Sequence, residues 1–191
     1  MKVIENTCMK TELQSPLEIA EKLMKHPSIH MHGPEHHALV PGVLVAAYQN
    51  NIGERNDKAI VEAIKRGKKI PGGYCGLYGA CGAGIGIGVA VSVLLEATSL
   101  TPAQRSHAIR ATSQALKIIA ESGGARCCKK STRAAIEEGV LYLSELFDLD
   151  WYEEIDASLK CTYSRYNKEC DDNCRYHDKN NEKSDRNLLA I

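Results

Sequence analysis

The chain has 191 residues, which is long enough for one substantial domain with its own core and short for two. Lys and Arg together number 24, as do Asp and Glu, so no excess of charge indicates nucleic acid or an anionic membrane as a partner. With one Phe and one Trp, the core must consist mainly of Ala, Val, Ile and Leu. This composition favours packed helices over a β-sandwich.

The first 14 residues, MKVIENTCMKTELQ, lack the apolar stretch of a signal peptide, so we expect a cytoplasmic protein. In that compartment the eight cysteines are expected to be thiols or metal ligands rather than disulfides. Residues 70–95 form an uncharged run long enough to cross a bilayer. Its first half is rich in Gly, Tyr and Cys, and no second span accompanies it, so we expect it to be buried in protein rather than in lipid.

Three helices are predicted before this central run. The first opens with a capping box, Ser15-Pro16-Leu17-Glu18, and ends before Pro27. The second begins near Pro34 and runs to Tyr48. The third is expected to be capped by Asp57 and ended by Gly67.

The central run itself divides into two parts. Residues 71–79 are rich in Pro and Gly, which predicts irregular backbone around Cys75. From about Cys81 to Ala97 the pattern indicates a buried helix. Its glycines at 82, 84, 86 and 88 cover more than one face, so neighbouring helices could pack close to it.

Two more helices follow. One begins at the capping box Thr101-Pro102-Ala103-Gln104 and ends before Gly123-Gly124. The other is predicted from about Thr132 to Phe147. The sequence therefore predicts an all-α protein of about six helices around the glycine-rich helix, with a core domain over residues 14–150, a cysteine-bearing extension over 151–177, and a disordered tail over 178–191.

Four cysteines of the core lie at glycine-rich helix boundaries, in PGGYCGLYGAC (Cys75 and Cys81) and GGARCCKKS (Cys127 and Cys128). Thiolates are soft ligands that select zinc, copper(I) or iron–sulfur clusters. The spacings do not match the paired C-x(2–4)-C knuckles of zinc sites, whereas a cluster tolerates wider spacing. We therefore predict an iron–sulfur cluster, [4Fe–4S], with zinc as the alternative. Ligation by both adjacent cysteines is sterically awkward, which leaves open which of the two binds.

The C-terminal extension carries a second candidate metal site. Cys161, Cys170 and Cys174 come nearer to a knuckle spacing, and His177 is a candidate fourth ligand.

Histidines and basic residues supply the remaining candidates. His37 is the candidate acid/base, because imidazole titrates near neutrality, and His36 beside it is a candidate for substrate binding. Near the vicinal cysteines, Arg126 is a candidate for binding a substrate carboxylate and Lys129 a catalytic candidate. A solvated basic turn is the alternative for this segment.

Several motifs together resemble a family of small proteins from anaerobic microbes that is known only as a domain of unknown function. They are HGPEHH, GGYCGLYGACGAGIG, GGARCCKK and CTYSRYNKECDDNC, and the resemblance covers about residues 8–176.

The chain also resembles, more remotely, the α domain of iron–sulfur serine dehydratases and cysteine desulfidases. The shared order is a glycine-flanked cysteine, a Gly/Ala-rich helix, a long helix and a cysteine-bearing turn followed by Lys-Lys. In those enzymes three cysteines hold a [4Fe–4S] cluster whose open iron acts as a Lewis acid on a substrate hydroxyl or thiol. The resemblance implies that Cys75 or Cys81 and Cys127 or Cys128 are ligands. The chain departs from that pattern because its second pair of cysteines is adjacent.

The resulting hypothesis is a cluster-dependent lyase or sulfur-handling enzyme that acts on a small anionic substrate. The alternative is a non-enzymatic zinc-binding or thiol redox-sensing protein. A homodimer is left open.

Overall fold

The computed structural model describes residues 1–151 and 159–177, and the prediction of an all-α fold is confirmed over these residues. The predicted disordered tail, 178–191, lies outside them. Within the described residues, an isolated bridge between Cys161 and His177 is the sole β-type pairing, and no helix is long and apolar enough to cross a membrane. The helices are α1 Lys2–Lys10, α2 Pro16–Met24, α3 Glu35–Ile52, α4 Asp57–Lys68, α5 Tyr74–Leu77, α6 Gly82–Leu94, α7 Pro102–Glu121 and α8 Cys128–Phe147, followed by a 3₁₀ turn, Ser164–Tyr166.

Two helices form the centre of the bundle. The glycine-rich α6 packs against α3, α4, α7 and α8, as the sequence predicted, and α3 is buried along most of its length. A Cβ at Gly86 would lie 3.0 Å from the Cβ of Val40 on α3, and one at Gly88 would lie 2.7 Å from the carbonyl oxygen of Ala108 on α7. The glycines of α6 therefore allow close packing on two different sides.

The N-terminal helix α1 was not predicted. Its Ile4 and Cys8, one helical turn apart, are fully buried and belong to the same hydrophobic core as α2, α3 and α4. The described residues thus contain eight α-helices rather than about six, the additional ones being α1 and the one-turn α5.

The boundaries of α4 differ from the prediction. Its N-cap is Asn56 rather than Asp57, because the Asn56 side chain accepts a hydrogen bond from the N–H of Ala59 at 3.2 Å. Gly67 does not end the helix, which continues to Lys68. Its role is close packing, since a Cβ at 67 would come within 3.0 Å of the carbonyl oxygen of His37.

Helix α8 begins at Cys128, about four residues earlier than predicted, and the C-terminal extension packs against it. The Tyr176 hydroxyl donates to the carboxylate of Glu137 at 3.1 Å, and the ammonium of Lys129 lies 4.2 Å from the centre of the Tyr163 ring. These contacts bring the cysteines of the extension toward the first half of α8.

Candidate functional site

One cavity of about 610 Å³ lies where the N-terminal ends of α3, α6 and α8 meet. All four cysteines of the predicted core site line it, although about fifty residues separate the two pairs in sequence. Its lining residues are those of the loop before α3 (His32, Gly33, Pro34), His37, the segment 72–76, Cys81, Gly82, Ile119, the turn 122–126, Cys127, Cys128, Lys130 and Ser131.

Cys81 and Cys128 mark the starts of the two helices that point into the cavity. Cys81 is the N-cap of α6 and Cys128 is the first residue of α8. Burial raises the pKa of the Cys128 thiol, a hydrogen bond donated by the N–H of Gly33 opposes this rise, and the nearby Cys81 thiol reinforces it. The two thiols therefore face the same cavity.

Cys75 lies at the rim. It is exposed and belongs to α5, which is bounded by Gly73 and Gly79 with φ values of 84° and 66°. These left-handed conformations favour glycine and let the chain reverse on both sides of Cys75.

His37 is held in one orientation inside the cavity wall. Its Nδ1 lies 3.0 Å from the carbonyl oxygen of Ile70, which can only accept, so Nδ1 carries the proton. In the neutral ring Nε2 is then left with its lone pair. The ring packs on the backbone of Gly82, at the start of α6.

A two-glycine turn positions the basic residues. Gly123 and Gly124 have φ values of 55° and 70° and connect α7 to α8. Arg126 is exposed and lines the cavity, as does the buried Lys130, whose ammonium donates to the carbonyls of Ser122 and Gly123. With Arg126 and Lys129, Lys130 belongs to the positive charge that flanks the vicinal cysteines in the sequence.

Lys129, the catalytic candidate, does not line the cavity. Its ammonium is buried and donates to the carbonyl of Met24 at 2.8 Å, and burial lowers its pKa. Because α8 already begins at Cys128, position 129 belongs to the helix, and its side chain extends toward α2 rather than into the cavity.

His36, the candidate for substrate binding, also lies outside the cavity lining. Its Nδ1 donates to the carbonyl of Gly33 at 3.1 Å. Burial, followed by the positive charge of Lys129, lowers the pKa of this imidazole to about 4. His36 is therefore a neutral, buried side chain that supports the loop before α3.

Cys127 has a second set of neighbours in the extension. Burial raises the pKa of its thiol, a hydrogen bond from the N–H of Lys130 opposes this, and the thiols of Cys161 and Cys174 raise it further. The candidate tail ligand His177 is buried, with Nε2 3.4 Å from a carboxylate oxygen of Asp172. The sequence predicts the core cysteines and the tail cysteines as two separate sites, and it gives no sign that Cys127 interacts with Cys161 and Cys174.

Within residues 1–151 and 159–177, no group of three or more His, Cys, Asp or Glu side chains is arranged so that it could hold a metal ion. The iron–sulfur cluster and the zinc alternative therefore stay predictions from ligand chemistry.

Comparison with known proteins gives one assignment. No curated protein and no solved structure matches the chain, so the resemblance to serine dehydratases stays a hypothesis. A family model described as a family of unknown function, DUF5714, matches residues 4–177, which span α1 to the last cysteine turn. The chain belongs to this family.

Proposed function

We propose that the cavity binds an iron–sulfur cluster through its thiols and that the protein uses it in lyase or sulfur chemistry on a small anionic substrate. The observation that carries this proposal is the convergence of Cys75, Cys81, Cys127 and Cys128 on one cavity. Thiolates are the usual ligands of such clusters.

The electrostatics of the cavity support a negatively charged group. The first amides of α6 and α8 have no partner within their own helices, and both helix dipoles direct positive charge toward the cavity. The N–H of Gly33 donates to the Cys128 sulfur, which is a contact that also stabilises cluster thiolates. Arg126 and Lys130 add full positive charges.

Cavity residues would also serve a substrate. A cluster held by three thiolates would supply a Lewis-acidic iron to a substrate hydroxyl or thiol. Arg126, exposed at the cavity, would bind a carboxylate, and Nε2 of His37 would accept a proton.

A second candidate function is a thiol redox or zinc-binding protein without catalysis. It is favoured by the presence of Cys81 and Cys128 in one cavity, where an external disulfide oxidant would convert this pair of thiols to a disulfide.

Anaerobic purification or reconstitution, followed by iron, sulfide and zinc analysis and visible spectroscopy, tests the proposal. We expect iron and sulfide in equal amounts in the wild type and a large loss in Cys81→Ser and Cys128→Ser. Cys8→Ala is the matched control, because Cys8 is buried in the core away from the cavity. A colourless protein after reconstitution, with stoichiometric zinc or without metal, would contradict cluster binding.

The reaction is tested separately on the cluster-loaded protein. Small β-hydroxy and β-thiol carboxylates are supplied, and the release of sulfide or of the unsaturated product is followed. We expect Arg126→Gln to raise KM and His37→Ala to lower kcat. Turnover that is unaffected by either substitution would exclude these roles.

A further inference from the structure

The first half of α8 contains buried positive charge that is only partly balanced. Lys129, Lys130 and Arg133 are all buried. Arg133 binds the carboxylate of Glu21 through Nε at 2.6 Å and through a second nitrogen at 3.0 Å. The Lys129 ammonium donates to the backbone carbonyls of Met24 and Ile29, which carry no net charge.

Neighbouring carboxylates offset this charge only in part. Glu21, which binds Arg133, also attracts the Lys129 ammonium. Glu137 pairs with Arg175 of the extension. Asp171 is half-buried and lies across Gly124 from the Lys130 ammonium. A buried ammonium such as that of Lys129 is costly unless negative charge lies near it.

Thiols lie where that negative charge is needed. Lys129 interacts electrostatically with Glu21 and then with Cys127 and Cys161, and the Arg133 guanidinium lies near the Cys161 thiol. Thiolates at these positions would offset the excess charge.

The backbone of the extension brings its three cysteines to this place. The N–H of Cys170 donates to Asn167 at 3.0 Å and that of Cys174 to Asp171 at 2.9 Å, so each cysteine ends a tight turn. The N–H of Cys161 donates to the carbonyl of Tyr176 at 2.7 Å, which closes the segment into a loop.

The same loop is fixed to α8 by its aromatic rings. Tyr163 packs under the Lys129 ammonium, and Tyr176 lies 5.5 Å from the Arg133 guanidinium. The loop thus lies beside the first turns of α8, whose N-cap is Cys127.

The turn that ends at Cys174 lies against the turn that precedes Cys127. A Cβ at Gly124 would lie 3.0 Å from a carboxylate oxygen of Asp171. A divalent cation is therefore within reach of thiols from both segments.

We infer that Cys127, Cys161, Cys170 and Cys174 form a tetrathiolate zinc site beside the cavity, with Cys127 in the wall between the two. The Cys170-x3-Cys174 spacing is that of a zinc knuckle, and four thiolates close the coordination shell as in structural zinc sites. Binding forms four Zn–S bonds and releases four thiol protons to solvent. The centre then carries two net negative charges, which Lys129 and Arg133 offset.

The four sulfurs are not yet at ligand distance in the described structure, so zinc must draw the two tail turns toward the start of α8. The vicinal cysteines then serve different sites. Cys127 binds zinc, and Cys128 stays with Cys75 and Cys81 as a three-thiol set in the cavity. This last assignment rests on the proposed function.

Titration of the reduced, full-length protein with Co²⁺ and then Zn²⁺ tests the zinc site. We expect one cobalt ion with the charge-transfer and d–d bands of four thiolates, displaced by one zinc ion. Cys127→Ser and Cys170→Ser should weaken zinc binding by more than the roughly 10–100-fold that the loss of a second-shell partner costs. Cys81→Ser and Cys128→Ser, the matched controls, should leave the zinc affinity unchanged.

Two further variants keep the test decisive if a serine variant is poorly folded. Cys127→His should retain zinc and give a cobalt spectrum with three thiolates, because imidazole is also a zinc ligand. His177→Ala should bind zinc as the wild type does. Zinc retained at full affinity in Cys127→Ser, or lost in Cys128→Ser or His177→Ala, would overturn the assignment.

Iron analysis of the same variants separates this inference from the proposed function. If both hold, Cys127→Ser loses zinc and keeps the cluster, whereas Cys128→Ser loses the cluster and keeps zinc. If neither the wild type nor any variant takes up a cluster, but Cys127→Ser loses zinc and Cys128→Ser keeps it, only the proposed function is wrong. If the cluster follows Cys81 and Cys128 but no zinc is bound, the zinc site alone fails.

Discussion

The imidazole of His37 lies so close to Gly82 that a Cβ at position 82 would come within 3.0 Å of three ring atoms. The ring cannot turn aside easily, because its Nδ1 is bound to the carbonyl of Ile70. We therefore expect Gly82→Ala to destabilise the protein by about 1–2 kcal/mol, since overpacking outweighs the gain in helix propensity. Urea unfolding measures the effect. The control is Gly76→Ala, where a Cβ meets nothing within 4 Å, and equal stability of both variants would contradict the close packing.

The hydrogen bond from His37 to Ile70 also predicts a protonation pattern. In its neutral form the His37 ring should be the Nδ1–H tautomer, with its lone pair on Nε2. Two-bond ¹H–¹⁵N correlation spectra distinguish the two tautomers, and the loss of one set of signals in His37→Ala assigns them. An Nε2–H tautomer would remove His37 as the proton acceptor of the cavity.

His36 should make stability depend on acid pH. Its pKa is lowered to about 4 in the folded protein from 6.5, by burial and then by Lys129, with smaller opposing contributions from Gly33 and Glu35. Below pH 6.5, His36 takes up a proton in the unfolded chain but stays neutral in the folded protein. Stability that is present at neutral pH is therefore lost as the pH falls from about 6.5 to 4.

The size of this loss follows from the shift, which corresponds to about 3 kcal/mol when the titration is complete. His36→Asn keeps a donor for the Gly33 carbonyl and cannot take up the proton. The wild type should lose this stability as the pH falls from about 7 to about 4, whereas the variant should not. The free energy of unfolding of the wild type minus that of the variant, measured over this range, should therefore decrease. A difference that is constant over this range would contradict the prediction.

The buried pair of Arg133 and Glu21 should be strongly coupled. Removing Glu21 leaves a buried guanidinium uncompensated, so Glu21→Ala is expected to cost roughly 3–5 kcal/mol. A double-mutant cycle with Arg133→Ala measures the coupling free energy. The exposed pair Lys117 and Glu121, 3.9 Å apart, is the control and should give less than about 0.5 kcal/mol. Similar coupling in both pairs would show that burial does not strengthen the first.

Thiol reactivity should follow exposure. Cys75 is exposed, whereas Cys8 is fully buried and its pKa is raised to about 12 by burial, with Arg55 opposing. In the metal-free native protein we expect iodoacetamide to modify Cys75 first and Cys8 only after unfolding. Mass spectrometry of timed samples reads this order. Protection of Cys75 after cluster reconstitution is expected, and unchanged reactivity would remove it from the ligands.

Local sequence signals predicted some of the helix boundaries that form the cavity. Gly123-Gly124 and the Pro/Gly segment before Cys81 mark chain reversals by their own conformational preferences, so the end of α7 and the start of α6 at Cys81 could be foreseen, whereas the start of α8 was predicted about four residues too late. The tail differs in this respect. It is polar and has no apolar period, so nothing local indicated that its cysteines would lie beside Cys127.

The direction in which each side chain of α8 points could not be predicted from the sequence either. A helix rotates by about 100° per residue, so an error of four residues in its start leaves the direction of each side chain undetermined. Lys129 was assigned to a turn beside the cavity, and as a helical residue it extends toward α2 instead. Which of Cys127 and Cys128 contacts which group depends on the same start point.

This geometry limits where the chain tolerates insertions. One residue added between Cys127 and Arg133 would rotate the rest of α8 by about 100° and separate the two adjacent cysteines from the basic residues that follow them. An insertion in the exposed turn at Ala125, before the helix begins, leaves that register intact. Length variation among relatives should therefore occur in the turn before Cys127 and not within the seven positions from 127 to 133.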